Sequence, residues 1–99
     1  MLEVKLFIDA DDLHESTPLY EHIMRYLMHH EIYGATLFTG SMGFGSHHHL
    51  HEPKRIAASD PVPVLIIFID EEEKVRRVIP HLKEVMPGGL ITAHRVERV

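Results

Sequence analysis

Ninety-nine residues with 44% hydrophobic content leave room for one compact domain with one core, and no stretch has the composition of a linker. With 10 Lys+Arg against 15 Asp+Glu, the formal net charge is −5, so the chain has no basic surplus with which to neutralise a nucleic-acid backbone. It has no cysteine, which excludes disulfides, thiolate catalysis and thiolate metal sites.

In chain order, Leu2, Val4, Leu6 and Ile8 alternate with Glu3, Lys5, Phe7 and Asp9, the period of a strand with one buried face, which predicts a strand over residues 2 to 9. The opening MLEVKLFIDADD carries acidic residues where a signal peptide needs an uncharged apolar stretch. The longest apolar run, Val64 to Ile69, is far too short to span a bilayer. A soluble, cytoplasmic protein is expected. Thr17 followed by Pro18 reads as a helix cap and first helical residue. Leu19, Ile23, Tyr26, Leu27 and His30 then follow at helical spacing, giving a helix from about 18 to 32 that ends at Gly34.

Ala35 to Ser41 is rich in β formers and enters Gly43-Phe44-Gly45, where glycine permits a sharp change of direction. Residues from about 45 to 61 show no period and mix histidine, proline and charge; a loop of that length in so small a domain is usually functional or mobile. Val62 to Ile69 reads as the third strand. Asp70 is expected to cap a helix whose Glu71, Glu72 and Glu73 suit its N-terminus and whose buried stripe is Val75, Val78, Ile79, Leu82 and Met86. Pro80 lies inside that stripe and should kink or interrupt the helix. Pro87-Gly88-Gly89 is a turn, and Leu90 to Val96 is the last strand.

This order, βαββαβ, is the pattern of an α+β, ferredoxin-like sandwich: two helices on one face of a four-stranded antiparallel sheet, with a long loop between the second and third strands. Since Val64 to Ile69 is apolar at consecutive positions, both of its faces favour leaving water. Exposure would forfeit about 1.5–3 kcal/mol for each large side chain. Self-association through the uncovered sheet face is therefore expected.

The run Gly34-Ala35-Thr36-Leu37-Phe38-Thr39-Gly40-Ser41-Met42-Gly43-Phe44-Gly45 resembles the PII signalling superfamily, in which a Gly-x-Thr strand leads into Gly-Phe-Gly and the long T-loop. Together with His51, Pro63 and Asp70-Glu71-Glu72-Glu73, it is similar to the short PII-like branch catalogued as proteins of unknown function. The resemblance covers essentially the whole chain and makes residues 1–99 a single PII-like domain with its T-loop at about 45–61. It implies a homotrimer binding an adenine nucleotide in clefts between subunits. Carried over by position, Gly34, Ala35 and Thr36 would line the adenine and ribose end, Gly43, Phe44 and Gly45 the T-loop base, and Gly88 and Gly89 the phosphate turn. Arg95 and Arg98 near the chain end are further phosphate candidates. Ser46 and His47 stand where PII proteins proper carry Arg-Gln, and no Lys follows Gly89. Backbone dipoles alone compensate added phosphate charge poorly, so AMP or ADP is expected to bind at least as well as ATP. The implied function is regulatory: nucleotide occupancy orders or releases the T-loop, which engages a membrane transporter or a metabolic enzyme.

A second reading is a divalent-metal binding or tolerance protein resembling the trimeric CutA relatives of this fold. In an extended loop, His47, His49 and His51 would point the same way, as imidazoles sharing Zn²⁺, Cu²⁺ or Ni²⁺ must. His14, His22, His29, His30, His81 and His94 stand at no ligand spacing apart from the neighbours 29 and 30, and read as surface or interface residues. No set of nucleophile, base and charge stabiliser is apparent, so the chain is not expected to be an enzyme.

Overall fold

In the computed structural model, which describes residues 1–44 and 62–99, the chain forms β1 (Leu2–Asp9), β2 (Leu13–His14), β3 (Thr17–Pro18), α1 (Leu19–His29), β4 (Ala35–Thr39), β5 (Pro63–Asp70), α2 (Glu72–Val85) and β6 (Leu90–Arg95). The main sheet has the order β4-β5-β1-β6, and every neighbouring pair is antiparallel. This is the ferredoxin-like arrangement, with the two strands of alternating or continuous apolar character, β1 and β5, at its centre.

The period of β1 decides which face is core. Leu2, Val4, Leu6 and Ile8 are buried, and the registers Val4↔Phe68, Leu6↔Ile66 and Ile8↔Val64 put the buried residues of β5 beside them. Leu19, Ile23 and Leu27 of α1, and Val75, Val78, Leu82 and Val85 of α2, close over this face. Spaced three and four apart, they form the single apolar stripe that each helix needs.

The other face of the sheet is graded. Registers align Phe38, Leu65, Phe7 and Leu90 in one row across all four strands. Three of these side chains are markedly exposed: Phe38 at 50%, Phe7 at 42% and Leu90 at 57%. Farther along the strands the face turns polar, ending in a Glu3–His94 contact of 2.9 Å.

Four local expectations change. Thr17 and Pro18 pair with Leu13 and His14 as a small hairpin, and Pro18 occupies the N-cap position without a side-chain cap. α1 stops well before Gly34. Glu31 takes the left-handed conformation (φ 58°), while Ile32 N–H bonds Leu27 O and Glu31 N–H bonds Met28 O, both at 3.1 Å. That is a Schellman closure with glutamate where glycine is usual. α2 runs through Pro80 without interruption, and Pro80 lies exposed on its outer side. Asp70 sits one residue before the N-cap, Glu71. Its carboxylate accepts Glu71 N–H at 2.7 Å and, across the fold, Tyr33 N–H at 2.9 Å. No helix among the described residues is long and apolar enough to cross a membrane.

Candidate functional site

The expected nucleotide-site residues fall into three places. At the Asp9 end of the sheet, Phe44, Gly88 and Gly89 line a cavity of about 580 Å³ together with Phe7, Asp9, Asp12, Pro63 and Leu90. Gly88 has φ 82°, a conformation that L side chains rarely adopt, so this turn depends on glycine. Gly43 is held differently. It is not among the positive-φ glycines, and a Cβ there would lie 3.3 Å from Pro63 Cγ; at Gly40 the same contact would be 2.8 Å. The two glycines thus let the chain beyond β4 pass close over Pro63. Gly40 N–H fastens that passage by bonding Pro63 O at 2.8 Å.

At the opposite end of the sheet, Gly34 and Ala35 line a second hollow of about 470 Å³ with Met24, Met28, Ile32 and Tyr33 among its walls. Thr36, paired with Ile67, points to the uncovered face. The step from the level of Glu3, beside Gly34, to that of Asp9, beside the glycine turn, is about six strand residues or roughly 20 Å. Arg95 is the third location. It lies at the Gly34 end but on β6, the far edge from β4, roughly 14 Å away across three strand spacings. Arg95 Nη1 donates to Glu72 Oε1 at 2.8 Å. That bond and the neighbouring Arg76 hold the Glu72 carboxyl below its usual range. Arg98 is exposed beyond β6. Gly45 and the histidines His47, His49 and His51 lie outside the described residues.

Sequence reasoning missed the acidic wall of the first cavity. Asp12 Oδ2 accepts Asp9 N–H at 3.0 Å, which turns the chain at the end of β1 and leaves both carboxylates beside the Gly88-Gly89 turn. The signal was the run Asp9-Ala10-Asp11-Asp12 immediately after an alternating strand. Among the described residues lining this cavity there is no Lys or Arg. The described lining thus combines the Gly88-Gly89 turn, whose Gly89 N–H is bonded to Met86 O at 3.0 Å, with the Phe44 ring and two carboxylates.

Comparison with known proteins gives four findings. The DUF190 family model, described as "Uncharacterized ACR, COG1993", matches residues 1–98. A UPF0166 protein of Aquifex aeolicus (strain VF5) is 30% identical over 94 residues, covering 95% of this chain and 89% of that protein. UPF0166 protein MJ1524 of Methanocaldococcus jannaschii is 36% identical over 89 residues, covering 89% and 82% respectively. Among solved structures, the chain is similar to CPII from Thiomonas intermedia K12, bound to ADP and bicarbonate. The TM-score is 0.55 at 16% identity, over 94% of this chain and 82% of that one. At that identity the likeness is one of fold.

Proposed function

Because the chain belongs to the DUF190 family and has a PII-like ferredoxin fold, we propose that it is a cytoplasmic regulatory binding protein, not an enzyme, that takes an adenine nucleotide between subunits of a homotrimer. The observation that carries this reading is the separation of the carried-over residues. Gly34 and Ala35 at one end of the sheet and Phe44, Gly88 and Gly89 at the other are too far apart along β1 for one nucleotide to touch both sets in one chain. A ligand that uses both must lie where one subunit's β4 edge meets its neighbour's glycine turn. The row Phe38, Leu65, Phe7 and Leu90, exposed at all but Leu65, supplies the apolar surface for such assembly.

AMP or ADP is the preferred ligand. The cavity by the glycine turn is lined by Asp9 and Asp12 and by no described cation, so each further phosphate adds charge that no described side chain of its lining neutralises. A fold shared with a protein captured with ADP supports the ligand class. The T-loop, which starts just beyond Phe44, transmits occupancy to a target, a transporter or a metabolic enzyme.

Calorimetric titration with AMP, ADP and ATP, with and without Mg²⁺, tests this. We expect AMP or ADP to bind at least as tightly as ATP, and Gly88→Val to lose binding. Absence of heat with all three nucleotides would sink the proposal; a tenfold preference for ATP, about 1.4 kcal/mol, would overturn the charge reasoning alone.

A further inference from the structure

Three imidazoles from three elements meet on the outside of the helical layer. His22 of α1 and His81 of α2 face each other with Nε2 atoms 2.9 Å apart. His14 of the β2–β3 hairpin stacks on His22 with ring centroids 4.0 Å apart, and its ring stands edge-on to His81 at 6.5 Å. Tyr26 stacks on His81 at 4.2 Å and lies 4.1 Å from His30. The side chains of His14, His22, Tyr26 and His81 are half-buried. Of the charged groups nearby, Glu15 in the hairpin turn acts on His22. Glu21 and Arg25, beside His22 in α1, pair with each other at 3.3 Å, and Arg77, one turn before His81 in α2, pairs with Glu73 at 2.9 Å.

A contact of 2.9 Å between two Nε2 atoms stands only while one of them is bare: one ring donates its proton and the other presents a lone pair. The first added proton goes to the free Nδ1 of the donor ring and leaves the bond in place, now charge-assisted. The second must go to the bare Nε2, which sets two N–H groups against each other between like charges, and the pair has to part. α2 does not yield, because Val75, Val78, Leu82 and Val85 anchor it in the core. His22 is the middle ring, so leaving His81 turns it toward His14 and the hairpin. That hairpin has strands of two residues and a Leu13 that is 63% exposed, so little holds it down. Its base is tied to α1 by Leu19 N–H, which bonds Asp12 O at 2.8 Å. Asp12 and Leu13 also share a small hollow of about 140 Å³ with Leu19, Met86 and Gly89, which places the hairpin between the imidazoles and the glycine turn.

We propose that His14, His22 and His81 form a proton-sensitive clasp: with the His22–His81 bond intact it fastens the β2–β3 hairpin to the helical layer, and when both rings are charged it releases the hairpin, drawing Asp12 and Leu13 away from the Gly88-Gly89 turn. Burial, followed by the neighbouring His14 and His81, lowers the pKa of His22 against the opposing pull of Glu15. A histidine depressed in the attached state favours attachment fully above its ordinary value of about 6.5, and that contribution is lost as the pH falls toward the depressed one. Acid therefore loosens the hairpin, and the wall of the cavity beside the glycine turn becomes responsive to protons. The clasp is independent of the nucleotide reading and of the histidines at 47–51.

The test is amide hydrogen exchange of the full chain, read by NMR from about pH 7.5 to about pH 5. It compares Leu19 N–H, which bonds Asp12 O, with Ile32 N–H, which bonds Leu27 O beyond the other end of α1. The intrinsic effect of pH on exchange is common to both amides, so their ratio isolates the hairpin. The Leu19-to-Ile32 ratio should rise at least about tenfold over that range, in step with titration of the His22 ring resonances. His22→Gln and His81→Gln each keep a hydrogen-bonding group that does not titrate, and the ratio should stay level in both. A level ratio in the wild type would mean that the rings swing outward and leave the hairpin seated, which overturns the proposal. A rise that persists in both Gln variants overturns it as well. Should a Gln variant fail to fold, the wild type decides, since a rise that follows other histidines and not the His22 ring would exclude the clasp.

Discussion

Replacing Asp70 by Asn should cost far more stability than a surface carboxylate would. Asp70 is 5% exposed and accepts two backbone N–H bonds, from Tyr33 at 2.9 Å and Glu71 at 2.7 Å, with Lys74 Nζ 3.2 Å from Oδ2. Bonds to a charged acceptor are worth about 1.5–3 kcal/mol each, while the partly exposed lysine pair adds about 1 kcal/mol at most. Asn keeps one acceptor oxygen but turns an NH₂ group toward the other N–H, so Asp70→Asn should lose about 2–3 kcal/mol. Asp70→Ala strands both amides and should lose about 3–5 kcal/mol, a large share of the stability of a small domain. Urea unfolding followed by far-UV circular dichroism, repeated at two protein concentrations to separate any assembly contribution, measures both.

The same carboxylate sets an acid limit. Burial opposes ionisation, but the N–H groups of Tyr33 and Glu71 and the Lys74 ammonium outweigh it and hold the pKa below the usual range. A carboxyl depressed in the folded state contributes stability that is in place above its unfolded pKa of about 3.9 and is lost as the pH falls through the folded value. The gap between wild type and Asp70→Asn should therefore be full at pH 7 and narrow below about pH 4. A gap under about 0.5 kcal/mol at pH 7, or one that persists unchanged into acid, would refute this account of Asp70.

Other substitutions probe other parts of the fold. Leu65→Asp puts a charge in the middle of the row Phe38-Leu65-Phe7-Leu90 and should convert an oligomer to an 11.4 kDa monomer by light scattering; a wild-type already monomeric at micromolar concentration would remove the interface. Glu31→Gly relieves a left-handed glutamate at the end of α1 and should gain about 0.5–1 kcal/mol in urea unfolding, net of the entropy glycine adds to the unfolded chain. Pro80→Ala restores a backbone donor inside α2 and should stabilise by about 1–2 kcal/mol, the helix gain less the lost rigidity of unfolded proline; a loss would mean that Pro80 serves a contact beyond the isolated chain.

Features governed by local period were legible in the sequence. Leu2, Val4, Leu6 and Ile8 announce β1 because alternation has one structural solution, and the stripes of both helices follow from spacing alone. The hairpin at residues 13–18 was hidden because its strands are two residues long, too short to show a period. The end of α1 was misplaced because Gly34 is the better left-handed residue by type, whereas the chain turns at Glu31, where Ile32 can already bury against Leu27. In the candidate site, the glycine turn and Phe44 were found through motif resemblance, but the role of Gly43 was not. Its constraint is a proline twenty residues later. The contact between His22 and His81, whose Nε2 atoms lie 2.9 Å apart, was hidden for a similar reason: the two stand 59 positions apart, and only packing of α1 on α2 makes them neighbours.

The strand order also has a bearing on how the chain folds. β1 is made first, yet its partners are β5 and β6: Leu2 pairs with Asp70 on one side and with Arg95 on the other. Such distant pairings form slowly because a long loop must close before any contact rewards it. At a synthesis rate of about 5–20 residues per second, β1 spends seconds outside the ribosome with four large apolar side chains and both hydrogen-bonding edges unclaimed. α1 can cover part of its apolar face in that interval but cannot pair its edges. The central strand of the finished sheet is thus the segment most exposed to mispairing during synthesis, and the sheet is completed only when residues 90–95 arrive.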